Sequence, residues 1–203
     1  MIACLDLEGV LLPEIWIKFA EKTGIDELKI TTRDIPDYSK LMQKRLHILQ
    51  SHDLRINDIQ NVINTLEPLE GAKEFLSWLK SEFQVIILSD TFYEFSGPLM
   101  RQLEYPTLFC HQLAVDDQGN IIDFHLRQQD QKTKAVKALQ SLNFKVISAG
   151  DSYNDVGMLK QADSGILFCP PESVAKEFPQ YPIANNYKDF KSLLIGARQK
   201  LLG

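Results

Sequence analysis

Short, nearly unbroken apolar runs recur along this chain with helical patterns between them. The runs are "IACLDL" at the start, "FQVIILSD" from Phe83, "KVISAGDS" from Lys145 and "GILFC" from Gly165. Apolar runs without polar alternation suit parallel strands covered on both faces. The stretches "AKEFLSWLK", "QKTKAVKALQSL" and "YNDVGMLKQA" place apolar residues three and four apart and read as the covering crossover helices. The pattern predicts an α/β fold with a doubly wound, mainly parallel sheet. "AVDDQGNIIDFHL", residues 114–126, reads as a hairpin turning at Gln118-Gly119-Asn120, an antiparallel addition to that sheet. Residues 14–68 break the alternation: "PEIWIKFAEKTG", "YSKLMQKRLHILQSH" and "RINDIQNVINTL" are helical, joined in part by the connector "TTRDIPDY". The expected organisation is a core of residues 1–13 and 69–203 with a small α-helical insertion, 14–68, after the first strand. That insertion would sit over the strand's carboxyl end, the edge where open α/β sheets bind ligands. The connector and the junctions near Pro13 and Pro68 are its candidate hinges.

Composition narrows the classes of partner. With 203 residues, 44% of them hydrophobic, the chain can bury one sizeable core. A net charge of -5 offers no basic stripe for nucleic acid or an anionic membrane, so small molecules are the expected partners. Cys4, Cys110 and Cys169 lie in apolar stretches without metal-ligand spacing and read as buried free thiols. Neither a signal-like start nor an apolar run of membrane-spanning length is evident, which makes the cytoplasm the expected location.

The predicted strands end in chemistry. Asp6 and Glu8 close the first, Ser89 and Asp90 the second, and Gly150, Asp151 and Ser152 the third. Any one group alone reads as turn and helix-cap chemistry. Jointly, a parallel sheet delivers Asp6, Ser89 and Asp151 to one crevice, where two carboxylates can hold Mg²⁺ and a hydroxyl can meet a phosphate oxygen. On the helix from Tyr38, Arg45 falls inside the stripe of Tyr38, Leu41, Met42, Leu46 and Leu49. A charge on a core face needs a partner, either a protein acid or a ligand.

"DLEGV", "LSDT", the lysine of "QDQKTK" and "GDSYND" resemble, in order and spacing, the four motifs of the haloacid dehalogenase superfamily of phosphotransferases. The resemblance spans essentially the whole chain, with the helical insertion similar to that superfamily's small cap. In detail it is closest to phosphoserine phosphatases, above all the bifunctional type that also passes phosphate to homoserine. The resemblance implies Asp6 as nucleophile, forming an aspartyl-phosphate, with Mg²⁺ held by Asp6, the Glu8 backbone carbonyl and Asp151. It implies Ser89 as a donor to the phosphoryl group and Lys132 as the neutralising lysine, with Lys134 the alternate. Asp90 and Asn154 would stand on the substrate side, and Asp155 would fix Lys132 or a metal-bound water. Glu8 departs from the commoner Asp at that position. As general acid and base its carboxyl would reach one bond further, which we expect to favour transfer to an alcohol over hydrolysis. Glu14 and Arg45 match positions that clamp the substrate's ammonium and carboxylate; Glu14 reads equally as a first-turn acid. The implied small molecules are phosphoserine and homoserine, and self-association as a homodimer stays open.

Two alternatives stand beside this reading: a related phosphatase for another small phosphate ester, with Arg45 structural, and a binding module without turnover. His47, His52, His111 and His125 form no ligand spacing, and Trp16, Phe19, Trp78 and Phe83 read as core. No Gly-rich nucleotide loop is present.

Overall fold

The computed structural model of the protein describes residues 1–31, 34, 35 and 37–203. Its strands are β1 (Ile2–Leu5), β2 (Gln84–Phe92), β3 (Thr107–Val115), β4 (Ile121–His125), β5 (Val146–Gly150), β6 (Ser164–Phe168) and β7 (Ile183–Ala184). They form one sheet in the order β4-β3-β2-β1-β5-β6-β7, in which the β3–β4 pair is antiparallel and the other neighbouring pairs are parallel. β1 is flanked by β2 on one side and β5 on the other. The chain therefore reverses its direction of winding beside β1, and a crevice opens at the carboxyl ends there.

β1 and β5 are buried along their whole length, as a strand covered on both faces must be. The helices α4 (Ala72–Glu82), α5 (Tyr93–Gln102), α6 (Gln131–Ser141), α7 (Val156–Gln161), α8 (Glu172–Glu177) and α9 (Tyr187–Leu202) accompany the sheet. Between β1 and α4 come α1 (Ile15–Thr23), a 3-10 turn (Asp26–Lys29), α2 (Tyr38–Ser51) and α3 (Ile56–Ile63). Gly24 closes α1 in the left-handed conformation at φ 73°, where a Cβ would be unfavourable. The Asp37 side chain caps α2, accepting from the Ser39 and Lys40 N–H groups at 3.0 and 3.2 Å. One continuous apolar core takes in Phe19, Met42 and Ile59 of the inserted helices together with Leu5, Ile147 and Phe190 of the α/β layers. Among the described residues no helix is long and apolar enough to cross a membrane.

Several boundaries differ from the sequence pattern. β1 stops at Leu5, so Asp6 and Glu8 are not strand neighbours; Asp6 still donates its N–H to the Ala149 carbonyl at 2.9 Å, and Glu8 lies in the following turn. "YNDVGMLKQA" opens with a 3-10 turn, Tyr153–Asp155, before α7. Cys4 and Cys110 are buried but Cys169 is exposed, because the chain turns there at φ 43° after β6 and carries the thiol out of the core. Residues 32, 33 and 36 of the connector 31–38 lie outside the described residues.

Candidate active site

At the carboxyl edge of β1 the chain leaves the sheet, and a cavity of about 310 Å³ opens between that edge and the inserted helices. Asp6, Glu8, Glu14, Arg45, Ser89, Asp90, Asp151 and Asn154, all singled out from sequence, line it. Lys132 and Asp155 lie behind this lining, Lys132 in an ion pair with Asp6.

Lys132 is the hub. It sits in the first turn of α6, only 3% exposed, with its Nζ 2.9 Å from Asp6 Oδ1, 2.8 Å from Asp155 Oδ1 and 3.8 Å from Asp90 Oδ2. Burial alone would lower its pKa, but the charges of Asp155, Asp6 and Asp90 raise it well above the usual lysine value. Lys134, two residues on, is exposed. Asp155 is fully buried and spends both oxygens. One accepts from Lys132, the other from the Asp151 and Ser152 N–H groups at 3.0 and 3.1 Å.

One lysine does not balance these acids. Asp6, Asp151 and Asp155 bring carboxylate oxygens within 4.8 Å of one another. Burial first, then the neighbouring Asp155, raises the pKa of Asp6 and lifts that of Asp151 to about 7. Burial, then Glu14, lifts Glu8 to about 8. Carboxylates pressed together beyond the reach of one ammonium are a donor set of hard oxygens that fits a divalent cation such as Mg²⁺. The approach is close enough that Gly9, at φ 77°, is required: a Cβ there would stand 2.5 Å from the Asp151 carboxyl carbon.

Glu8 has a further contact that the sequence did not reveal. Its Oε2 accepts the Ile15 N–H at 2.9 Å, so the side chain ties the start of α1 to the turn after β1. Glu14 is the residue preceding α1; it is exposed, lines the cavity, and makes no capping bond. Arg45 is 6% exposed, with its guanidinium over the Trp16 ring at 4.5 Å. Its hydrogen bonds go to the Ile30 carbonyl at 2.7 Å and the Met42 sulfur at 3.8 Å, while Nε has no partner. No carboxylate pairs with it among the described residues.

Ser89, 2% exposed, and Asp90 sit on a distortion of β2. The β2–β3 register runs from Leu88 opposite Phe109 to Phe92 opposite His111, so β2 spends four steps where β3 spends two. Such a bulge re-aims side chains, here into the cavity. Asp90 accepts from Asn154 Nδ2 and Gln131 Nε2, both at 3.0 Å. Burial would raise its pKa, but Lys132 and the bonds from His111, Asn154 and Gln131 hold the carboxyl well below the usual range. Three residues not expected at the site also support Asp90: Tyr38, whose hydroxyl donates to the Asp90 carbonyl, and Gln131 and His111, which reach its carboxylate. In the sequence Tyr38 belongs to an apolar stripe, and His111 lies in the part of β3 that precedes the predicted hairpin.

A haloacid dehalogenase-like hydrolase family model matches residues 2–163. The chain is 61% identical over 201 residues to phosphoserine phosphatase ThrH of Pseudomonas aeruginosa, covering 99% of this chain and 98% of that one. To a phosphoserine phosphatase of Pseudomonas syringae pv. tomato it is 58% identical, covering 99% and 85%. Among solved structures, a substrate-bound phosphoserine phosphatase complex matches with TM-score 0.76 at 21% identity, covering 95% of this chain and 96% of that one. With four motifs at one sheet edge and a family model matched over most of its length, the chain belongs to the haloacid dehalogenase-like hydrolase family.

Proposed function

We propose that this protein is a Mg²⁺-dependent phosphoserine phosphatase that also passes the phosphoryl group to homoserine. The observation that carries the substrate reading is Arg45. A buried guanidinium whose Nε has no partner and which pairs with no carboxylate among the described residues, in the same cavity as Asp6 and Glu14, is incomplete until an anion arrives. An amino-acid phosphate supplies one in its α-carboxylate, which a planar guanidinium can grip, and its ammonium suits Glu14. The likeness to the two Pseudomonas phosphoserine phosphatases supports the same substrate.

In this reading residues 14–68 form a cap that carries Arg45 and Glu14 over the core. Asp6 attacks phosphorus, the bond to the serine oxygen breaks, and an aspartyl-phosphate forms on Asp6. Glu8, its carboxyl pKa raised by burial and by Glu14, gives a proton to the departing alkoxide and then takes one from the incoming water or homoserine hydroxyl as that oxygen bonds phosphorus and the bond between Asp6 and phosphorus breaks. Lys132 and the Ser89 hydroxyl neutralise charge on the phosphoryl oxygens, and Asp155 holds Lys132 in place. Asp6, Asp151 and the Glu8 carbonyl would hold Mg²⁺, which when bound offsets the charge of the carboxylates and of the phosphoryl group. Asn154, tied to Asp90, faces the substrate.

Phosphorus NMR of the protein incubated with phosphoserine, Mg²⁺ and homoserine tests this directly. Inorganic phosphate and phosphohomoserine should both appear. Phosphate alone would reduce the protein to a phosphatase, and untouched phosphoserine beside cleavage of p-nitrophenyl phosphate would move it to another ester. Arg45→Met should lower kcat/KM for phosphoserine roughly 10- to 100-fold, the loss of a charge-assisted bond, while leaving p-nitrophenyl phosphate nearly unaffected.

A further inference from the structure

The bulge that carries Ser89 and Asp90 creates a difficulty: its carbonyls leave the β2–β3 ladder, and a buried carbonyl without a donor is costly. Two side chains from elsewhere meet this need, and a third reaches the Asp90 carboxylate. Gln131 Nε2, at the start of α6, donates to the Ser89 carbonyl at 2.5 Å and to Asp90 Oδ1 at 3.0 Å. The Tyr38 hydroxyl donates to the Asp90 carbonyl. His111, 3% exposed on β3, sets its Nε2 3.5 Å from Asp90 Oδ1.

The proton positions follow from Arg127. Its backbone N–H points at His111 Nδ1, 3.1 Å away, so Nδ1 accepts and, in the neutral ring, Nε2 carries the proton toward Asp90. Its Nε donates at 3.1 Å to Gln131 Oε1, which fixes that amide with the NH₂ toward the bulge. Arg127 is itself seated with its guanidinium 4.9 Å over the Phe109 ring. One residue thereby orients two buried donors, and both aim at the segment that presents Ser89. Asp90 in turn stands 3.8 Å from the Lys132 ammonium and holds Asn154.

We propose that His111, together with Gln131, is a positioning residue for phosphoryl transfer: the pair holds the 89–91 bulge so that Ser89 and the Asp90–Lys132 contact stay aligned on the cavity. His111 touches neither the nucleophile nor the phosphoryl group and acts through Asp90. The inference rests on the role given to Ser89 and Lys132 in the proposed function.

The test compares His111→Phe, which keeps a ring between Tyr38 and Phe92 but removes both nitrogens, with His111→Gln, which restores a donor near the Nε2 position. Because the bulge is aligned for transfer and not for substrate capture, His111→Phe should lower kcat for phosphoserine about tenfold or more, with KM changed much less. His111→Gln should recover most of that loss. Gln131→Leu should lower kcat similarly. The double variant should lose less than the product of the single losses, since both donors support one segment. Should His111→Phe fail to fold, Gln131→Leu and His111→Gln decide the matter by the same kcat measurement. A lowered unfolding midpoint with kcat unchanged in the folded variants would overturn the proposal and leave His111 as packing. All rates are also taken with p-nitrophenyl phosphate. If the wild-type protein cleaves that ester but not phosphoserine, the substrate reading fails while the variant comparison still decides the role of His111.

Discussion

At the scale of single residues the site is a problem of charge. Lys132 is surrounded by Asp6, Asp155 and Asp90, and without it those buried carboxylates would face one another uncompensated. Lys132→Met should therefore abolish turnover and destabilise the fold by about 3–5 kcal/mol, measurable by denaturant unfolding. Glu8→Asp draws the carboxyl back by one bond and away from the Ile15 N–H. The ratio of phosphohomoserine to phosphate should fall, and an unchanged ratio would remove Glu8 from control of the acceptor. The strand-end acids were legible as a local pattern, and Lys132 through the resemblance to the family's motifs. What was not legible was pairing across distance. That Glu8 caps α1, or that Arg45 has no acidic partner among the described residues, depends on elements that meet only in the fold.

At the scale of elements, strand ends decide where chemistry sits. Gly150 ends β5 with Asp155 lying directly against the position a Cβ would take. Gly150→Ala should displace Asp155 and with it Lys132, lowering both the unfolding midpoint and kcat, whereas Gly97→Ala in α5, where a Cβ meets nothing, should cost neither. The strands β1, β2, β5 and β6 were readable as apolar runs. Of β3 only the end was readable, as the first arm of the hairpin at 114–126 that pairs antiparallel with β4; the rest was not, because "TLFCHQLAV" mixes His111 and Gln112 into the run near the edge of the sheet. β7 has only two residues, and α5 carries an internal Pro98, so neither offers a clean period. The β2 bulge had no sequence signature, since nothing in "LSDTF" says that two extra residues will be inserted against β3.

At the scale of the whole molecule, the inserted helices and the sheet share one apolar core, and the cavity lies where they meet. That cavity gathers more carboxylates than cations, so folding stability should respond to the ion that relieves them. At a Mg²⁺ concentration a hundredfold above its Kd, one site adds roughly 2.7 kcal/mol, or roughly 5–10 °C in unfolding midpoint for a chain of this size. Chelation should reverse the gain, and Asp151→Asn should remove it. The central claim is that the phosphoryl group of phosphoserine passes through Asp6. The most direct measurement mixes the protein with Mg²⁺ and phosphoserine labelled in its phosphate, quenches in acid within the first turnover, and maps the label by peptide. Label on the peptide containing Asp6, lost in Asp6→Asn, is the predicted result. Turnover with no label retained on the protein, or label that persists in Asp6→Asn, would contradict it.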